Sequence, residues 1–420
     1  MKEKIRNIII TYVVLIVIFI GGLTLAYSIP YGRIINNVKE SIGKIEEEGV
    51  YPRVFLQSPS SQLDNFTDTL MLMLASYENN QSPIKSAMEN ANGYTADSND
   101  TKIDELNAYL AGEKLEKSEY NRYWHGYLTF LKPLLFFFNY LEIRYINMLL
   151  LVGLFVWVNV LMNKKLGFKY MAAFFLSVMM SMFLIVPMSI QFSSIYYVMF
   201  IANIILLCKY DYLKDKRWIP CLFFAIGGLT SYLDLLTAPL ITLGMPLITY
   251  ILLLNKETKF IVNFYEVIGK SIMWTIGYGC IWATKWIIGS IILGRNILTS
   301  AMKQATFRTS DTFLGNEINR IDIIKLNTNL YFDLPIKNIL VLIVIILILI
   351  FIFNKEKVSF IKSKAPILLV VVYPIVWFMV LTNHTYIHFW FTYRILMITV
   401  YGFLAFILSC IDFKRLKLNL

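Results

Sequence analysis

Two aspartates with a spacing of four residues, Asp64 and Asp68, stand in the sequence LDNFTD at positions 63–68. On a helix this spacing places both carboxylates on the same face. Two carboxylates that lie close together raise the pKa of one of them, and a carboxylate that titrates near neutral pH can act as a general base. The sequence equally allows Asp64 to cap a helix that begins at the next residue, with Asp68 as an acidic residue of its first turn.

A third acidic candidate, Asp234, lies among apolar residues and shortly before Pro239. A carboxylate near membrane depth is costly and usually has a functional partner. The alternative is that Asp234 caps the following helix, for which an early proline is suitable. We therefore predict Asp64, Asp68 and Asp234 as the candidate catalytic acids, and the sequence does not choose among them.

Basic side chains that could bind an anion lie closer to the C-terminus. His384 and His388 are four residues apart in a chain with three histidines, and Arg394 follows within an aromatic stretch. The planar guanidinium group of Arg394 suits a phosphate, and the two histidines could hydrogen-bond a phosphate or a sugar. Lys285, inside an apolar run, either assists in phosphate binding or extends its ammonium group to the membrane surface. The alternative for the histidines is an aromatic belt at the membrane interface, and a metal site would need further ligands.

Residues 120–140 are rich in aromatic side chains. Such residues could stack on a sugar or form a wall for a prenyl chain, and the alternative is ordinary packing at the bilayer interface. We predict Tyr123, Trp124 and His125 of this stretch as substrate-binding residues.

The composition excludes an ordinary soluble protein. Of the 420 residues, 57% are hydrophobic and 16% are charged, whereas a soluble domain carries about 25% charged residues. An apolar run of about 20 residues can cross a bilayer as a helix. We predict an all-α polytopic membrane protein with about ten transmembrane helices, at residues 8–28, 145–162, 170–188, 190–208, 218–234, 238–254, 268–293, 336–353, 365–381 and 391–410. The first run is longer than the core of a signal peptide, which favours a retained anchor.

The lysines and arginines predict the orientation, because short loops that are rich in them stay in the cytoplasm. With the N-terminus inside, all the short inner segments are basic and the short outer loops contain neither Lys nor Arg. Both termini are then cytoplasmic, in a multi-pass protein of the cell membrane. These loops account for much of the net charge of +11, which removes the main argument for a nucleic-acid partner and leaves membrane lipids as the expected surroundings.

This orientation divides the chain into five regions. They are a first transmembrane anchor (1–29), a long extracytoplasmic region with amphipathic surface helices (30–144), transmembrane helices 2–7 (145–293), a second extracytoplasmic loop (294–335), and transmembrane helices 8–10 with a basic cytoplasmic tail (336–420). In the first outer region, residues 32–48 and 65–76 are predicted as helices, and the polar residues 79–104 are predicted as a loop. Nearly all candidate site residues then lie on the outer side of the membrane.

In this combination the chain resembles the GT-C superfamily of membrane glycosyltransferases. The shared features are a helical body with many spans, a long first outer loop with acidic residues and surface helices, and outer basic residues near the last spans. The resemblance implies a polyprenyl-phosphate-linked sugar as donor and a cell-envelope glycan or lipid as acceptor. A monophosphate leaving group is compatible with a divalent metal but does not require one, so no cofactor is expected.

The resemblance also implies roles for individual residues. Asp64 or Asp68 would be the base that accepts the proton of the acceptor hydroxyl, and Arg394 would hold the lipid phosphate with help from the two histidines or Lys285. In many members the acid lies soon after the first span, whereas Asp64 lies well beyond it. Asp234 could therefore share the role of the base.

Other functions remain open on the sequence alone. A transporter or flippase of lipid-linked sugars would use the same outer residues but needs polar groups across the whole membrane, which the aliphatic runs 340–353 and 367–372 do not offer. A polysaccharide polymerase or ligase shares the donor chemistry. A non-catalytic membrane assembly factor for a cell-surface polysaccharide is the third alternative.

Overall fold

The computed structural model of the protein describes residues 2–55, 58–95, 97, 100–254, 258–333 and 336–413. These residues form an all-α protein with two short β-hairpins, which confirms the predicted fold class at this level. Lys256 of a predicted inner loop and the basic tail from Lys414 onward lie outside the described residues.

The N-terminal part of the chain forms one long apolar helix followed by a mixed region of shorter elements. They are α1 (Lys2–Tyr27), α2 (Tyr31–Glu48), α3 (Asn65–Ser76), α4 (Pro83–Glu89), β1 (Ala91–Tyr94), α5 (Lys102–Ala111), β2 (Glu116–Glu119) and α6 (Leu128–Phe137). Helix α2 is amphipathic, and its apolar residues Ile34, Val38 and Ile45 are buried. Their helical spacing gives α2 one face that packs against the protein.

Residues 79–104 differ from the predicted loop, because they contain α4, β1 and the start of α5. Strand β1 pairs antiparallel with β2, with Ala91 opposite Glu119. Helix α5 begins with a capping box formed by Thr101 and Asp104. Strands β1 and β2 lie before and after α5 in the sequence. Their pairing is therefore not local, and no short sequence pattern predicts it.

The middle of the chain consists of apolar helices joined by short connections. They are α7 (Tyr140–Leu166), α8 (Phe168–Met180), α9 (Ile190–Asp215), α10 (Ile219–Leu233), α11 (Ile241–Leu253) and α12 (Phe260–Leu293). Asn139 and Glu142 form a capping box at the start of α7, and Ser189 caps α9. Because these side chains satisfy the first backbone N–H groups, they determine where the two helices begin.

The C-terminal part begins with a polar segment and ends with apolar helices. Its elements are α13 (Leu298–Arg308), β3 (Thr312–Phe313), β4 (Asn316–Glu317), α14 (Arg320–Tyr331), α15 (Ile336–Phe353), α16 (Val358–Lys364), α17 (Ile367–Val371), α18 (Tyr373–Val380), α19 (Thr382–Ile387), α20 (Phe389–Thr392) and α21 (Met397–Cys410).

Six helices within the described part of the chain are long and apolar enough to cross a membrane. They are Lys2–Tyr27, Tyr140–Leu166, Ile190–Asp215, Phe260–Leu293, Val358–Val380 and Phe389–Cys410. The other four predicted spans coincide with the shorter apolar helices Phe168–Met180, Ile219–Leu233, Ile241–Leu253 and Leu340–Ile352. A helix of about 15 residues reaches about 22 Å, less than the roughly 30 Å of the bilayer core. Membrane-spanning helices are thus supported by length and composition, and the count of ten stays a prediction.

The two predicted outer loops and the segment before α21 pack against one another. The hydroxyl group of Tyr393 donates to the carbonyl of Ser60 at 2.7 Å. The side-chain amide of Asn383 donates to the carbonyl of Thr312, also at 2.7 Å. Three parts of the sequence that are far apart in the chain therefore meet in one place.

Helices α10 and α12 cross at glycines. A Cβ atom added to Gly227 would lie 2.0 Å from the carbonyl oxygen of Trp274, and one added to Gly277 would lie 2.0 Å from that of Phe224. Both neighbours are backbone atoms, so only the absence of a side chain allows this approach.

We expect Gly277→Ala to destabilise this crossing by about 1–3 kcal/mol or more, since the backbone has to move apart. The matched control is Gly279→Ala on the same helix, where an added Cβ meets nothing within 4 Å. The apparent thermal midpoint of the purified protein in nanodiscs measures the effect. Equal midpoints for the two variants would contradict the close crossing.

Candidate functional site

Asp64 is the N-cap of α3. Its two oxygens accept hydrogen bonds from the backbone N–H and the hydroxyl group of Thr67, both at 3.0 Å. Burial raises the pKa of the Asp64 carboxyl to about 6, and the neighbouring Asp68 adds to this rise, while Thr67 and the nearby indole of Trp390 oppose it. The capping role and a pKa suited to a general base are therefore combined in one residue.

Asp68 is enclosed by hydrogen-bond donors. Its carboxylate accepts from the hydroxyl of Ser189 and from the backbone N–H groups of Ile190 and Gln191, each at 3.1 Å. The hydroxyl of Tyr140 donates to it as well. Burial raises the pKa of this carboxyl, although the hydrogen bonds counteract the rise. Because the donors come from the beginnings of α7 and α9, these contacts favour a role for Asp68 in joining α3 to both apolar helices.

Asp234 follows the last residue of α10 and shapes the loop to α11. Both of its oxygens accept from the backbone N–H of Thr237, at 3.0 and 3.1 Å. Within this loop Leu236 has a φ angle of 70°, which is uncommon for a residue other than glycine. The carbonyl of Leu236 lies 2.8 Å from Nε2 of His384. Asp234 therefore stabilises the loop that contacts this histidine.

The rings of His384 and His388 lie side by side, with centroids 4.9 Å apart. Nε2 of His388 is 2.8 Å from a guanidinium nitrogen of Arg308. Neither Nδ1 atom has a hydrogen-bond partner among the residues that the structure describes. Burial lowers the pKa of His388 to about 3 and that of His384 well below its usual value, with Arg308 contributing to both shifts. Both rings are therefore neutral at physiological pH.

Arg394 is fully buried and lies just before α21. Its guanidinium carbon lies 4.1 Å from the ring centroid of Phe192 and 4.8 Å from that of Tyr393. One guanidinium nitrogen donates to the carbonyl of Trp390 at 3.2 Å. The Nε and Nη2 atoms meet no acceptor within the described ranges. The aromatic rings thus hold a buried cation beside the same tryptophan that lies near Asp64.

Lys285 and Trp124 bind backbone carbonyls of neighbouring segments. The ammonium group of Lys285 donates to the carbonyls of Ala87 and Met88, at 3.1 and 3.0 Å. The indole N–H of Trp124 donates to the carbonyl of Ile281 at 2.8 Å. These contacts favour structural roles, and the predicted contacts of both residues with a substrate stay predictions.

His125 and Tyr123 lie close together but in different surroundings. Both ring nitrogens of His125 are bonded within the protein, Nδ1 to the hydroxyl of Tyr127 and Nε2 to the carbonyl of Tyr120, each at 2.9 Å. The ring of Tyr123 instead packs on Trp282, with centroids 5.7 Å apart, and lines a pocket. Of the three aromatic-segment residues predicted for substrate binding, Tyr123 has the most suitable position.

The pocket has a volume of about 230 Å³ and lies between α12, α13 and α18. Five of its fourteen lining residues are aromatic, namely Tyr123, Tyr278, Trp282, Trp286 and Trp377. Two guanidinium groups, those of Arg122 and Arg308, also line it, and the Nε atom of each is buried with no acceptor in the described chain. The pocket thus combines an apolar wall with positive charge.

Helix α12 supplies one wall through a regular series of aromatic residues. Trp274, Tyr278, Trp282 and Trp286 follow one another at intervals of four, and the last three of them line the pocket. The indole N–H groups of Trp282 and Trp286 both donate to the carbonyl of Arg122, at 3.1 and 2.9 Å. These bonds fix the orientation of both rings. The spacing alone could have shown that these residues share one face of a helix.

A series of contacts connects this pocket with Asp64. Arg308 lines the pocket and binds His388. The His388 ring centroid is 5.3 Å from that of Trp390. The Trp390 indole lies near enough to Asp64 to lower the pKa of its carboxyl, but its N–H has no hydrogen-bond partner among the described residues. The sequence predicted Asp64 and His388 as site residues but missed Arg308, which lies in the predicted second outer loop.

Comparison with protein-family models, with curated proteins and with solved structures finds no match to this chain. Among the described residues, no group of three or more His, Cys, Asp or Glu side chains could hold a metal ion. The function therefore has to be inferred from the geometry of the site.

We expect Asp64→Asn to make the protein more stable at neutral pH, because asparagine keeps the helix cap without the buried charge. The carboxyl pKa rises from 3.8 to about 6 on folding, so the folded state binds the proton more tightly and wild-type stability falls as pH increases from about 4 to about 6. The gain in apparent thermal midpoint should be largest above pH 6 and absent near pH 4. An exposed-site control, Asp322→Asn, should show no such trend, and a pH-independent difference for Asp64→Asn would contradict the shift.

Proposed function

We propose that the protein is a membrane glycosyltransferase that transfers a sugar from a polyprenyl-phosphate carrier to a glycan or lipid acceptor on the extracytoplasmic face. The observation that carries this proposal is the series of contacts from the aromatic pocket through Arg308, His388 and Trp390 to Asp64. It connects an apolar wall, a positive charge and a carboxylate with a raised pKa, which are the three elements that such a transfer needs.

Asp64 is the proposed base. Its carboxyl is 2% exposed and has a pKa of about 6, so it is ionised at neutral pH yet basic enough to accept a proton. Asp68 has four hydrogen-bond donors from the protein, and Asp234 is bound to its own loop. Asp64 is likewise bound within its own turn, through Thr67. The series of contacts that leads from it to the pocket makes Asp64 the preferred candidate among the three acids.

Arg308 is the proposed holder of the lipid phosphate, with Arg122 beside it in the pocket lining. A guanidinium group matches the oxygens of a phosphate, and its charge stabilises the leaving group. Arg394, which donates to the carbonyl of Trp390, adds a fully buried positive charge to that of the half-buried Arg308. The aromatic wall of α12 would receive the first isoprene units of the carrier, because these units are apolar and the wall is apolar.

The reaction is a substitution at the anomeric carbon. The acceptor oxygen forms a new bond to this carbon while the bond between the carbon and the phosphate oxygen breaks. Asp64 accepts the proton of the acceptor hydroxyl, and the leaving polyprenyl phosphate keeps the electron pair next to Arg308. The products are the glycosylated acceptor and the free polyprenyl phosphate.

The proposed topology places the site outside the cytoplasm. We propose ten membrane crossings with both termini in the cytoplasm of a cell-membrane protein, as the distribution of basic residues predicts. The packing of both outer loops against residues 382–394 is in accord with this arrangement.

We expect Asp64→Asn to lower sugar transfer about 10²- to 10⁴-fold, since a positioned general base contributes that much. The wild-type rate should rise with pH through about 6, where the Asp64 carboxyl loses its proton. The measurement is the release of polyprenyl phosphate by the full chain in nanodiscs from a panel of polyprenyl-phosphate monosaccharides, together with the surface-glycan profile of cells in which the variant replaces the natural protein.

Asp322→Asn is the matched control and should retain the wild-type rate and profile. A normal glycan profile and undiminished release with well-expressed Asp64→Asn would refute the enzymatic proposal in its present form. A changed profile without any release of polyprenyl phosphate by the wild type would instead favour a transporter or an assembly factor.

A further inference from the structure

The hydrogen bonds of the two histidines determine which nitrogen of each ring carries the proton. An arginine side chain only donates, so Nε2 of His388, 2.8 Å from Arg308, is the unprotonated nitrogen of that ring. The proton then lies on Nδ1. A carbonyl oxygen only accepts, so Nε2 of His384, 2.8 Å from the carbonyl of Leu236, carries the proton and Nδ1 has a free lone pair.

Nδ1 of His388 is therefore a hydrogen-bond donor, and Nδ1 of His384 is an acceptor. The rings lie side by side with centroids 4.9 Å apart, and within the described residues neither buried Nδ1 atom has a partner. Buried polar atoms are nearly always hydrogen-bonded in proteins. A buried donor and a buried acceptor on adjacent rings are both satisfied by a group that accepts and donates, and a hydroxyl group does both.

Two other ligands fit the pair poorly. An ionised phosphate oxygen only accepts, so it would satisfy His388 and face the lone pair of His384. A metal ion held by both rings would need a lone pair on both Nδ1 atoms, but the bond from Arg308 places a proton on that of His388. The sequence left a phosphate and a sugar open as ligands of the two histidines, and these hydrogen bonds favour the sugar.

We propose that His384 and His388 together bind one hydroxyl group of a sugar. Nδ1–H of His388 donates to the hydroxyl oxygen, and the hydroxyl hydrogen is donated to Nδ1 of His384. The inference rests on the proposed function in one respect, namely that the hydroxyl belongs to the transferred sugar or its acceptor. Arg308 and Leu236, which hold the two rings, both line the aromatic pocket, so the pair lies directly behind the pocket wall.

The first test reads the proton positions directly. The chain has three histidines, so nitrogen NMR of the full protein in nanodiscs with isotope-labelled histidine gives one pair of ring signals for each. We expect His384 and His125 to carry the proton on Nε2 and His388 to carry it on Nδ1. A proton on Nε2 of His388, or on both of its nitrogens, would overturn the proposal.

The second test adds a ligand. The probes are decyl-phosphate-linked glucose, galactose, mannose and N-acetylglucosamine, with decyl phosphate as the sugar-free control. We expect at least one sugar to shift the Nδ1 signals of His384 and His388, with His125 unchanged as the internal reference. Shifts caused equally by decyl phosphate would show an anion site, and no shift with any sugar would show that bound water satisfies the pair. Either result would overturn the proposal.

The third test uses variants that keep the structural bond of each ring. A glutamine amide can replace Nε2 of histidine but not Nδ1. His384→Gln and His388→Gln therefore retain the contacts with Leu236 and Arg308, and each loses its own hydrogen bond to the sugar hydroxyl. For the wild type we expect one deoxy analogue of the bound sugar to bind about 10- to 100-fold more weakly, as for a lost hydrogen bond that leaves buried groups unpaired. Each single glutamine variant keeps one of the two hydrogen bonds and should reduce this discrimination. In the double variant the parent sugar and the analogue should bind equally, and undiminished discrimination there would overturn the proposal.

The two proposals fail separately. Asp64→Asn should abolish turnover and leave the sugar-induced histidine shifts intact. If turnover does not need Asp64 but the shifts occur, the proposed base is wrong and the hydroxyl site stands. If turnover needs Asp64 but no sugar affects the histidines, the hydroxyl site is wrong and the base stands.

Discussion

The buried carboxylate of Asp68 connects the outer helices to the apolar body of the protein. It accepts hydrogen bonds from the first backbone N–H groups of α9 and from side chains at the starts of α9 and α7. The N-terminus of a helix carries a partial positive charge and unpaired N–H groups, so an anion is stabilised there. Because Asp64 precedes Asp68 by one helical turn, the same interaction positions the proposed base. The contacts of Asp68 are structural, whereas the chemical task is proposed for Asp64.

Buried lysines bind carbonyl groups at the C-terminal ends of two helices in the predicted outer region. Lys132 donates to the carbonyl of Ala75 near the end of α3, at 2.7 Å. Lys285 of α12 does the same for Ala87 and Met88 near the end of α4. A cation at a helix C-terminus satisfies carbonyls that have no partner within the helix. Polar contacts as well as apolar packing therefore hold the predicted outer region against the apolar helices. They give the candidate site a defined position relative to the aromatic pocket.

Apolar runs were sufficient to predict the helices of the membrane body, because a helix that satisfies its own backbone is the form that an apolar segment adopts in a bilayer. Asp64, as a capping residue, similarly predicted the helix that begins at Asn65. Local patterns could not predict the partners of the histidines. Arg308 is 80 residues from His388, and Leu236 is 148 residues from His384. Lys285 and Arg394 show a further limit. Their charges suggested a ligand, but whether a buried cation binds a carbonyl, an aromatic ring or a substrate depends on tertiary packing.

In the proposed reaction a lipid phosphate lies along the aromatic wall of α12 with its head group at Arg308, and this placement is the central claim. Photo-cross-linking tests this directly, with the full chain in nanodiscs and a polyprenyl phosphate that carries a diazirine in its first isoprene unit. We expect labelling at Trp282 and within Leu298–Arg308 that is lost in Arg308→Gln and retained in Lys303→Gln, an exposed cation of the same helix. Labelling confined to lipid-facing residues of Ile336–Phe353 and unchanged in Arg308→Gln would contradict it.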